Sequence, residues 1–525
     1  MYRPILLTGF MACGKSTVGR AVAEAAAIPF LDLDDALEQR AGMPIPQIFE
    51  QQGEVQFRQL ERQVLSEALE AEGPRVIATG GGALLDRQMR LQALQSAVVI
   101  SLRASPQTVL ERAARDDGRR PLLQHADRRY LEGLMSLRET SYAESHVQLD
   151  TDAVPVEKLV DEVLKTWRRD PIAVAAGLDS YRVELTDGQG PARAVEGLES
   201  TSSVLLISDA NVDPLFGASY RSSLSEAGHS VSTFLLAPGE EHKNPDTLRK
   251  LWEFALERDL DRRSWVIGLG GGVVTDVAGF LAATWMRGVR WMSFPTTMLG
   301  MVDASVGGKT AVDLGPAKNC VGAFWQPKRV VCDVNHLTTE PERGYISGLA
   351  EAVKTGLLGD ANLLDLLENE SVAVLRRDPE VLESVVRRAI RVKARVVSLD
   401  QRESGVRACL NLGHTVGHAI EACGGFGRYT HGEAVSLGLV AALRIGERLG
   451  HTPAPLARRA EQLLSRLGLP TDLSREPLNE VAKLLIHDKK RRGSHVRFVF
   501  TPNPGEYCFQ DLRVNEVERL VRELS

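Results

Sequence analysis

The chain has 525 residues, of which 43% are hydrophobic and 25% are charged, and its formal net charge is −6. This length exceeds what one hydrophobic core can organise, so we expect about two to four domains in a soluble globular protein. The slight acidic excess argues against a nucleic-acid binder, and no run of about 18 apolar residues offers a membrane span.

The N-terminus and the cysteines bear on the cellular compartment. The chain begins MYRPILLTGF, a pattern typical of a strand followed by a phosphate loop and not of a signal peptide. The six cysteines are scattered and form no CxxC pair, a usage typical of a reducing compartment. We therefore expect a cytoplasmic protein.

The first predicted element is a short apolar strand at 3–8, followed by a glycine loop and a helical pattern at 17–27. The loop fits GxxxxGK[ST], in which successive backbone N–H groups face a phosphate. In this pattern Lys15 reaches the β/γ-phosphates and the Ser16 hydroxyl binds Mg²⁺. A plain tight turn is the alternative, but the strand-to-helix context favours nucleotide binding. The predicted ATP-binding residues of the loop are Gly9, Ala12, Cys13, Gly14, Lys15, Ser16 and Thr17.

Carboxylates and glycines end the next two predicted strands. The strand beginning at Phe30 ends in Asp32 and Asp34, which would lie beside the phosphate loop, although aspartate also often caps a helix. A strand at 76–79 runs into the glycines 80–82, which let a ligand approach the backbone closely. Both features are compatible with an acceptor site next to the nucleotide.

An arginine-rich stretch follows, which is either a mobile lid over the transferring phosphoryl group or a solvated charged loop. The arginines of this stretch are Arg112, Arg115, Arg119 and Arg120.

These pieces resemble shikimate kinase, a small P-loop kinase with a five-stranded parallel sheet. The matching stretches, within 1–168, are GFMACGKST, DLDD, EVQFR, TGGGA, GRRPLL and LRETSY. The resemblance implies that Asp32 helps Ser16 to hold Mg²⁺, that Arg120 is the lid arginine that contacts ATP, and that Asp34 is the base. It also implies a shikimate site formed by Asp34, Arg58, Gly80, Gly81, Gly82 and Arg138.

Two details of the resemblance concern the nucleotide. The family usually carries glycine at the position of Ala12, so we expect Ala12 to keep an unstrained backbone. The adenine contact is assigned to Arg112 or Arg115.

A domain boundary is predicted near residue 170. A helical pattern at 155–167 ends in basic residues followed by Pro171, and new strands begin at Ile172 and Tyr181. The linker is short and carries no Gly/Ser tether.

From residue 204 the pattern alternates strand and helix, which predicts a parallel α/β sheet. The predicted strands are 204–209, 231–239 and 265–270, and the predicted helices are 218–227 and 245–258. The loops after these strands should open on one carboxyl edge, where ligands bind in such sheets. The loop 268–276 is similar to a dinucleotide loop but carries Val273 at the third glycine position, so a structural turn is nearly as good an interpretation.

Lysines and histidines mark the rest of the chain. Lysines beside glycine turns at 307–318 fit an anion clamp or an ordinary surface. After about residue 340 helical patterns dominate, and Glu351 and Lys354 would face the same way. His414 and His418 lie one turn apart on one helix, with His431 nearby, and three histidines beside glycines favour a metal or catalytic site over ordinary histidines.

Together these pieces resemble 3-dehydroquinate synthase across nearly all of 171–525. The matching stretches are LNLGHTVGHAIE, VDASVGGKTAVD, GLAEAVK and THGEA. The resemblance implies a Rossmann-like NAD⁺ domain at 171–336 and an all-helical domain at 337–525. It also implies one Zn²⁺, with Co²⁺ as the alternative ion, held by Glu351, His414 and His431. A homodimer is implied as well, in which Arg287 reaches the neighbouring subunit's substrate.

Two residue sets follow from this resemblance. The NAD⁺ site would comprise Asp209, Asn211, Glu240, Lys243, Gly271, Gly272, Val273, Asp276, Thr296, Thr297 and Lys318. The seven-carbon phosphate substrate DAHP would be bound by Arg287, Asp303, Lys309, Asn319, Lys354, Lys393, Arg407, Asn411, His418 and Lys489, with Lys490 as the alternative to Lys489.

The two resemblances imply a bifunctional enzyme of aromatic amino acid biosynthesis. One part would phosphorylate shikimate with ATP, and the other would convert DAHP to 3-dehydroquinate and phosphate with NAD⁺ recycled. Lys309 and Lys354 are assigned to the phosphate, and Glu403 and His418 to proton transfer. The alternatives are a metal- and NAD-dependent polyol dehydrogenase for the second part and a nucleotide-sensing module for the first.

Overall fold

A computed structural model describes residues 2–114, 128–198, 201–315, 317–425, 427–485, 491–492 and 495–524. The chain divides into two compact units, Met1–Glu184 and Leu185–Ser525. Among the helices in the described ranges, none combines the length and the apolar character that crossing a bilayer requires.

The first unit is built on a five-stranded parallel sheet in the order β2-β3-β1-β4-β5, which confirms the expected architecture. The strands are β1 (Ile5–Gly9), β2 (Phe30–Asp32), β3 (Val76–Ala78), β4 (Val98–Arg103) and β5 (Val147–Asp150). The central strand β1 is buried on both faces, because its side chains alternate between two core clusters. Ile5 and Leu7 pack into one cluster and Leu6 into the other.

Seven helices cover this sheet within the described residues of the unit. They are α1 (Lys15–Ala26), α2 (Leu33–Ala41), α3 (Ile45–Glu70), α4 (Arg87–Ser96), α5 (Pro106–Ala113), α6 (Arg128–Ala143) and α7 (Val156–Arg169). Helix α1 begins where Gly14 adopts a left-handed conformation with φ of 97°. Helix α2 follows β2 directly, because the Asp32 side chain caps it by accepting a hydrogen bond from the Asp34 backbone N–H. Asp34 therefore lies in the first turn of a helix and not at a strand end.

Strands β6 (Ile172–Val174) and β7 (Tyr181–Thr186) pair antiparallel around the point where the first unit ends. The second unit then continues with the strands β8 (Ser203–Asp209), β9 (Ser230–Leu236), β10 (Trp265–Gly270), β11 (Arg290–Pro295), β12 (Lys309–Leu314), β13 (Ala317–Phe324) and β14 (Arg329–Asp333). The helices between them are α8 (Gly190–Val195), α9 (Ala218–Glu226), α10 (Pro245–Glu257) and α11 (Gly272–Thr284). Parallel pairing in the order β14-β11-β10-β8-β9 sets the carboxyl ends of these strands along one edge, as predicted.

Strands β12 and β13 form an antiparallel hairpin that the sequence analysis did not predict. Its glycines and lysines resemble a series of turns, and an irregularity between Val312 and Leu314 interrupts the period of two. The hairpin carries Lys309, Lys318 and Asn319, which were interpreted as loop residues.

Helices dominate after residue 340, as expected. They are α12 (Glu342–Gly359), α13 (Ala361–Asn369), α14 (Ser371–Leu375), α15 (Pro379–Leu399), α16 (His414–Cys423), α17 (His431–Leu449), α18 (Ala454–Arg466), α19 (Leu478–Leu484) and α20 (Val514–Arg522). The region also contains a three-stranded antiparallel sheet of β15 (Arg491–Arg492), β16 (His495–Phe500) and β17 (Cys508–Arg513). The prediction of helices alone misses this sheet, because β16 is buried at three consecutive residues and so lacks the regular alternation of a half-buried strand.

Candidate active sites

The loop between β1 and α1 wraps around the side chain of Lys15. The Lys15 Nζ donates hydrogen bonds to the carbonyl oxygens of Gly9 at 3.0 Å and Phe10 at 2.9 Å. The Ser16 hydroxyl at the start of α1 donates to Asp32 Oδ2 at 2.7 Å. The loop therefore brings the predicted phosphate lysine and the two predicted magnesium ligands to one helix N-terminus.

Ala12 contradicts the expectation of an unstrained backbone. Its φ of 60° lies in the left-handed region, which costs a non-glycine residue about 1–2 kcal/mol. Its methyl group is buried and packs in the cluster that contains Phe10 and Val18, which offsets about 0.8 kcal/mol of that strain. Burial of the methyl group thus offsets part of the strain of an alanine at a glycine position.

The predicted acceptor residues converge on the glycines that follow β3. A Cβ atom on Gly82 would lie 2.6 Å from Arg58 Nη1, and one on Gly80 would lie 2.9 Å from Asp34 Oδ1. Arg138 Nη1 donates to the Gly81 carbonyl at 3.2 Å. Because these glycines carry no side chain, one carboxylate and two guanidinium groups reach the same small space. A hydroxylated carboxylic acid can be held there.

Two residues of this pocket were not predicted. Glu61 is buried and accepts a hydrogen bond from Arg58 Nη1 at 2.5 Å, and burial raises its pKa while Arg58 opposes the rise. The Tyr142 hydroxyl donates to the Gly81 carbonyl at 2.7 Å. Glu61 follows Arg58 by three positions on α3, and this spacing could have identified it.

Asp34 has the surroundings of a base. Burial raises its pKa, and the neighbouring Asp32 carboxylate raises it further, whereas Lys15 lowers it. Arg112 Nη1 donates to the Ala12 carbonyl at 3.3 Å, so this adenine candidate borders the phosphate loop. Several predicted residues lie outside the described part of the chain: Arg115, Arg119, Arg120, Lys489 and Lys490.

The second unit brings Glu351, His414 and His431 together. Glu351 Oε1 lies 3.4 Å from His414 Nε2 and 3.4 Å from His431 Nε2. Two ligands of one tetrahedral ion at about 2.1 Å are separated by roughly this distance. Glu351 is fully buried and forms an ion pair with Lys354, yet neither of its oxygens accepts a well-formed hydrogen bond from the described residues. A buried carboxylate of this kind fits a metal ligand.

Close helix packing makes this convergence possible. A Cβ on Gly438 of α17 would lie 2.0 Å from the Gly413 carbonyl, and one on Gly417 of α16 would lie 2.8 Å from the Ala434 carbonyl. A Cβ on Gly432 would lie 1.8 Å from the Ser347 carbonyl of α12. These glycines let three helix backbones approach until a glutamate and two histidines face one point.

The hydrogen bonds of the histidines orient them for this role. His414 Nδ1 lies 3.1 Å from the Leu412 carbonyl, which favours a proton on Nδ1 and leaves the Nε2 lone pair facing Glu351. Burial disfavours the cationic form of His431, but the carboxylates of Glu351 and Glu421 raise its pKa to about 9. Binding of a cation at this point therefore competes with a proton on His431.

A second set of ligands can be drawn from the same helices. One nitrogen from each of His414, His418 and His431 lies within 4.8 Å of the others. We favour Glu351 over His418, because Glu351 is fully buried and its Oε1 lies 3.4 Å from both His414 Nε2 and His431 Nε2, whereas His418 is exposed. His418 remains beside the site, with its ring centroid 5.1 Å from that of His414.

The predicted cofactor residues lie at the carboxyl edge of the sheet. Asp209 is the last residue of β8 and accepts hydrogen bonds from two backbone N–H groups, those of Asn211 at 2.8 Å and Val212 at 2.9 Å. Gly271 caps α11, and a Cβ there would lie 3.2 Å from Thr297 Cγ2, so the backbone at this turn is open to a ligand. The Gly272, Val273 and Asp276 positions occupy the first turns of the same helix.

A buried lysine joins this edge to the hairpin. Lys243 Nζ donates to Asp276 Oδ2 at 2.6 Å and to Asn319 Oδ1 at 2.5 Å, and Glu240 Oε1 lies 3.9 Å away. Burial lowers the pKa of Lys243, but the carboxylates of Asp276 and Glu240 raise it above its usual value. The Thr296 hydroxyl, directly after β11, is buried and has no hydrogen-bond partner among the described residues, so it can receive a ligand.

Each of the predicted substrate lysines in the described residues is paired with a carboxylate. Lys393 Nζ donates to Asp303 Oδ1 at 2.5 Å. Lys309 pairs with Glu403, whose other oxygen accepts from Asn411 Nδ2 at 3.0 Å. Arg407 Nη1 donates to the Gly307 carbonyl at 3.2 Å, which places it under the turn that precedes β12.

The charges of these pairs matter for anion binding. Burial would raise the pKa of Asp303, but Lys393 and Lys354 hold it well below its usual range. Burial would also raise the pKa of Glu403, and Lys309 lowers it instead. Burial lowers the pKa of Lys393 to about 8, although Asp303 opposes the fall. Burial also lowers the pKa of Lys354, but Glu351 and Asp303 raise it above its usual value. The pairs therefore set amino groups and carboxylates side by side in a small space. Arg287 is exposed and was expected to serve a neighbouring subunit.

Glu340 links the cofactor edge to the start of α12, and it yields a prediction about stability. Its Oε2 accepts a hydrogen bond from the Met298 backbone N–H at 2.8 Å, and burial raises its pKa to about 7. A raised pKa means that its contribution to stability is full below the unfolded value of 4.5 and is lost as the pH rises through 7. Glu340→Gln keeps an acceptor for Met298 and removes the charge.

We therefore expect Glu340→Gln to be about neutral at pH 5 and to increase the free energy of unfolding by roughly 2–3 kcal/mol at pH 8. Thermal melts at both pH values measure this, with the exposed Glu342→Gln as the matched control. An equal shift of the melting temperature at both pH values would contradict the assignment.

The two sites define a class of protein: a P-loop phosphotransferase followed, in one chain, by an α/β enzyme in which a glutamate and two histidines converge. Residues 11–168 match the family model of shikimate kinase. Residues 233–347 and 348–491 match the models of the 3-dehydroquinate synthase N-terminal and C-terminal parts.

Relatives support the same division. A 3-dehydroquinate synthase from Pelobacter propionicus is 42% identical over 348 residues, which are 66% of this chain and 97% of that protein. A solved structure of 2-deoxy-scyllo-inosose synthase complexed with carbaglucose-6-phosphate, NAD⁺ and Co²⁺ is 26% identical in sequence, with a TM-score of 0.61. The match covers 67% of this chain and 99% of that protein chain. The chain belongs to the 3-dehydroquinate synthase family and carries a shikimate kinase domain at its N-terminal end.

The fused domains make the chain a bifunctional enzyme of the shikimate pathway, with kinase and lyase activities.

Proposed function

We propose that the two sites described above carry out these reactions separately. The first unit would phosphorylate shikimate with ATP and Mg²⁺, and the second would convert DAHP to 3-dehydroquinate and phosphate with NAD⁺ and Zn²⁺. The single observation that carries the second assignment is the approach of Glu351 Oε1 to within 3.4 Å of two histidine nitrogens, in a pocket bordered by ion-paired lysines.

The residues present fit the two groups that the synthase requires. Glu351, His414 and His431 would hold the metal ion, because Glu351 Oε1 lies 3.4 Å from one ring nitrogen of each histidine. The open turn at Gly271 and the unpartnered hydroxyl of Thr296 fit a dinucleotide at the carboxyl edge. When bound, the metal ion would polarise a substrate hydroxyl and NAD⁺ would accept and return its hydride.

The chain's own side chains would hold the substrate and its leaving phosphate. Lys309, Lys354 and Lys393 are each fixed by a carboxylate, so a phosphate meets lysine side chains that are already positioned. His418 and Glu403 border this space and are proposed to move protons. Glu403 is held by Lys309 and Asn411, which fixes the direction of its carboxylate.

In the first unit one set of residues would bind the nucleotide and its metal ion, and another would bind the acceptor. Lys15 would neutralise the transferring phosphoryl group, and Ser16 with Asp32 would hold Mg²⁺. Arg58 and Arg138 would pair with the shikimate carboxylate, and the raised pKa of Asp34 suits a base for the acceptor hydroxyl.

Three broader proposals accompany these roles. Residues 1–168, 171–336 and 337–525 would act as the kinase, cofactor and metal domains, respectively. A homodimer would bring Arg287 of one subunit to the other's substrate. The six free cysteines fit a protein of the reducing cytoplasm.

A paired assay on the full-length chain tests the function. We expect phosphate release from DAHP that requires NAD⁺ and a divalent metal ion, and ADP release that requires shikimate. Net NADH production without phosphate release would indicate a polyol dehydrogenase instead. ATP binding without shikimate-dependent ADP release would indicate a sensing module.

A further inference from the structure

Glu421 is a buried carboxylate of α16 to which the proposed reactions give no role. Its side chain is only 6% exposed. Glu421 Oε1 accepts a hydrogen bond from Lys318 Nζ at 2.8 Å, and Glu421 Oε2 lies 3.7 Å from His431 Nδ1. The two oxygens of one carboxylate therefore face the hairpin β12–β13 on one side and a proposed metal ligand on the other.

The side of His431 that Glu421 faces is the one turned away from the metal site. His431 Nε2 points at Glu351 Oε1, so Nδ1 is the nitrogen left for an outer partner. A separation of 3.7 Å is longer than a direct hydrogen bond, but an anion at that distance favours a proton on Nδ1. The proton on Nδ1 leaves the Nε2 lone pair free, which is the tautomer that a metal ligand requires.

The other oxygen of Glu421, Oε1, connects α16 to the hairpin β12–β13 through Lys318. The same hairpin carries Asn319, which accepts a hydrogen bond from Lys243 at the cofactor edge. Lys309 at the start of β12 forms a second ion pair, with Glu403. The hairpin is therefore held between the cofactor edge and helix α16. The contact with α16 is the ion pair of Lys318 with Glu421, and Glu421 also faces His431, a proposed metal ligand.

We propose that Glu421 is a positioning residue whose two oxygens hold His431 and Lys318 in one array, so that metal affinity and the order of the hairpin depend on the same side chain. This inference rests on the proposed function, because it takes His431 to be a metal ligand. Lys318 contacts Glu421 Oε1, the oxygen that faces the hairpin. Removal of the Lys318 amino group should therefore free the hairpin, while Glu421 Oε2 continues to orient His431.

The test compares four full-length variants: Glu421→Ala, Glu421→Gln, Lys318→Met and, as a control on the exposed face of α17, Glu447→Ala. The dissociation constant of Zn²⁺ is measured by competition with a chromophoric chelator, and hydrogen exchange of 309–324 is followed in the metal-free protein. We expect Glu421→Ala to weaken zinc binding by about 10–100-fold, as loss of an outer carboxylate does elsewhere. Glu421→Gln keeps an acceptor for Nδ1 and should recover part of that loss.

Lys318→Met should leave the zinc affinity unchanged within about threefold, yet it should accelerate exchange in the hairpin as much as Glu421→Ala does. Glu447→Ala should change neither measurement. Thermal unfolding of each variant reports on folding of the second unit, and Glu421→Gln keeps the test decisive if Glu421→Ala misfolds.

Three results would overturn the inference: unchanged zinc affinity in Glu421→Ala and Glu421→Gln, an equal loss of zinc affinity in Lys318→Met, or hairpin exchange that neither substitution alters. These results differ from a failure of the proposed function, in which the wild-type chain itself would bind no zinc.

Discussion

Glu351→Gln is expected to remove the zinc ion and to lower phosphate release from DAHP by about 10³-fold or more, while the kinase reaction of the same chain stays within about twofold. Loss of a Lewis acid that supplies several kcal/mol of stabilisation corresponds to a rate loss of this size. Glutamine has nearly the shape of glutamate but cannot offer the anionic oxygen that lies 3.4 Å from both His414 and His431.

His418→Ala is the matched variant that separates the two sets of ligands. If Glu351, His414 and His431 hold the ion, His418→Ala retains zinc and loses synthase activity, because His418 borders the substrate. If the three histidines hold it, His418→Ala loses zinc and Glu351→Gln retains it. Metal analysis of the purified variants, together with both activity assays, decides between them. Loss of kinase activity in Glu351→Gln would show that the substitution disturbs more than the metal site.

Local motifs explain why the nucleotide loop could be predicted from the sequence. Its function depends on consecutive backbone N–H groups between β1 and α1, and the residues that make such a loop are adjacent in the chain. The position of Asp34 was harder to predict, because a strand of three residues gives too short a pattern to locate its end. Ala12 was misjudged for a related reason: its strain is offset by burial of its methyl group, which the sequence does not reveal.

The proposed metal site shows a different limit of prediction from the sequence. The spacing of His414 and His418 identifies a functional helix face, but Glu351 lies on α12, and only packing brings it to that face. The contact depends on Gly432 meeting the Ser347 carbonyl, which no periodicity in the sequence reports. The resemblance to a family, not the pattern of residues, predicted this convergence.

Glu421 could have been found from spacing alone. It follows His414 by seven positions and His418 by three, so all three lie on one side of α16. The hairpin β12–β13 could not be predicted in this way, because glycines, lysines and a register irregularity obscure its alternation. An element with weak periodicity thus carries part of the proposed active site, since Lys309, Lys318 and Asn319 all lie on the hairpin.

Lys15→Met is the second large prediction, and it should lower shikimate-dependent ADP release by about 10²–10³-fold or more while phosphate release from DAHP stays within about twofold. The Lys15 ammonium is held by the carbonyl oxygens of Gly9 and Phe10, at the mouth of the loop where the phosphoryl charge would develop. Methionine fills a similar volume and carries no charge, so the loop should keep its packing and lose its electrostatic function.

The exposed Lys158→Met on α7 is the matched control, because it removes the same charge from the same unit far along the chain from the loop. It should leave both activities unchanged. Ser16→Ala tests the neighbouring role: it removes the hydroxyl bonded to Asp32, so it should raise the Mg²⁺ concentration needed for half-maximal ADP release rather than abolish the reaction. Full activity in Lys15→Met would exclude this loop as the phosphoryl-transfer site. An equal fall of both activities would mean that the two reactions are not carried by separate sites.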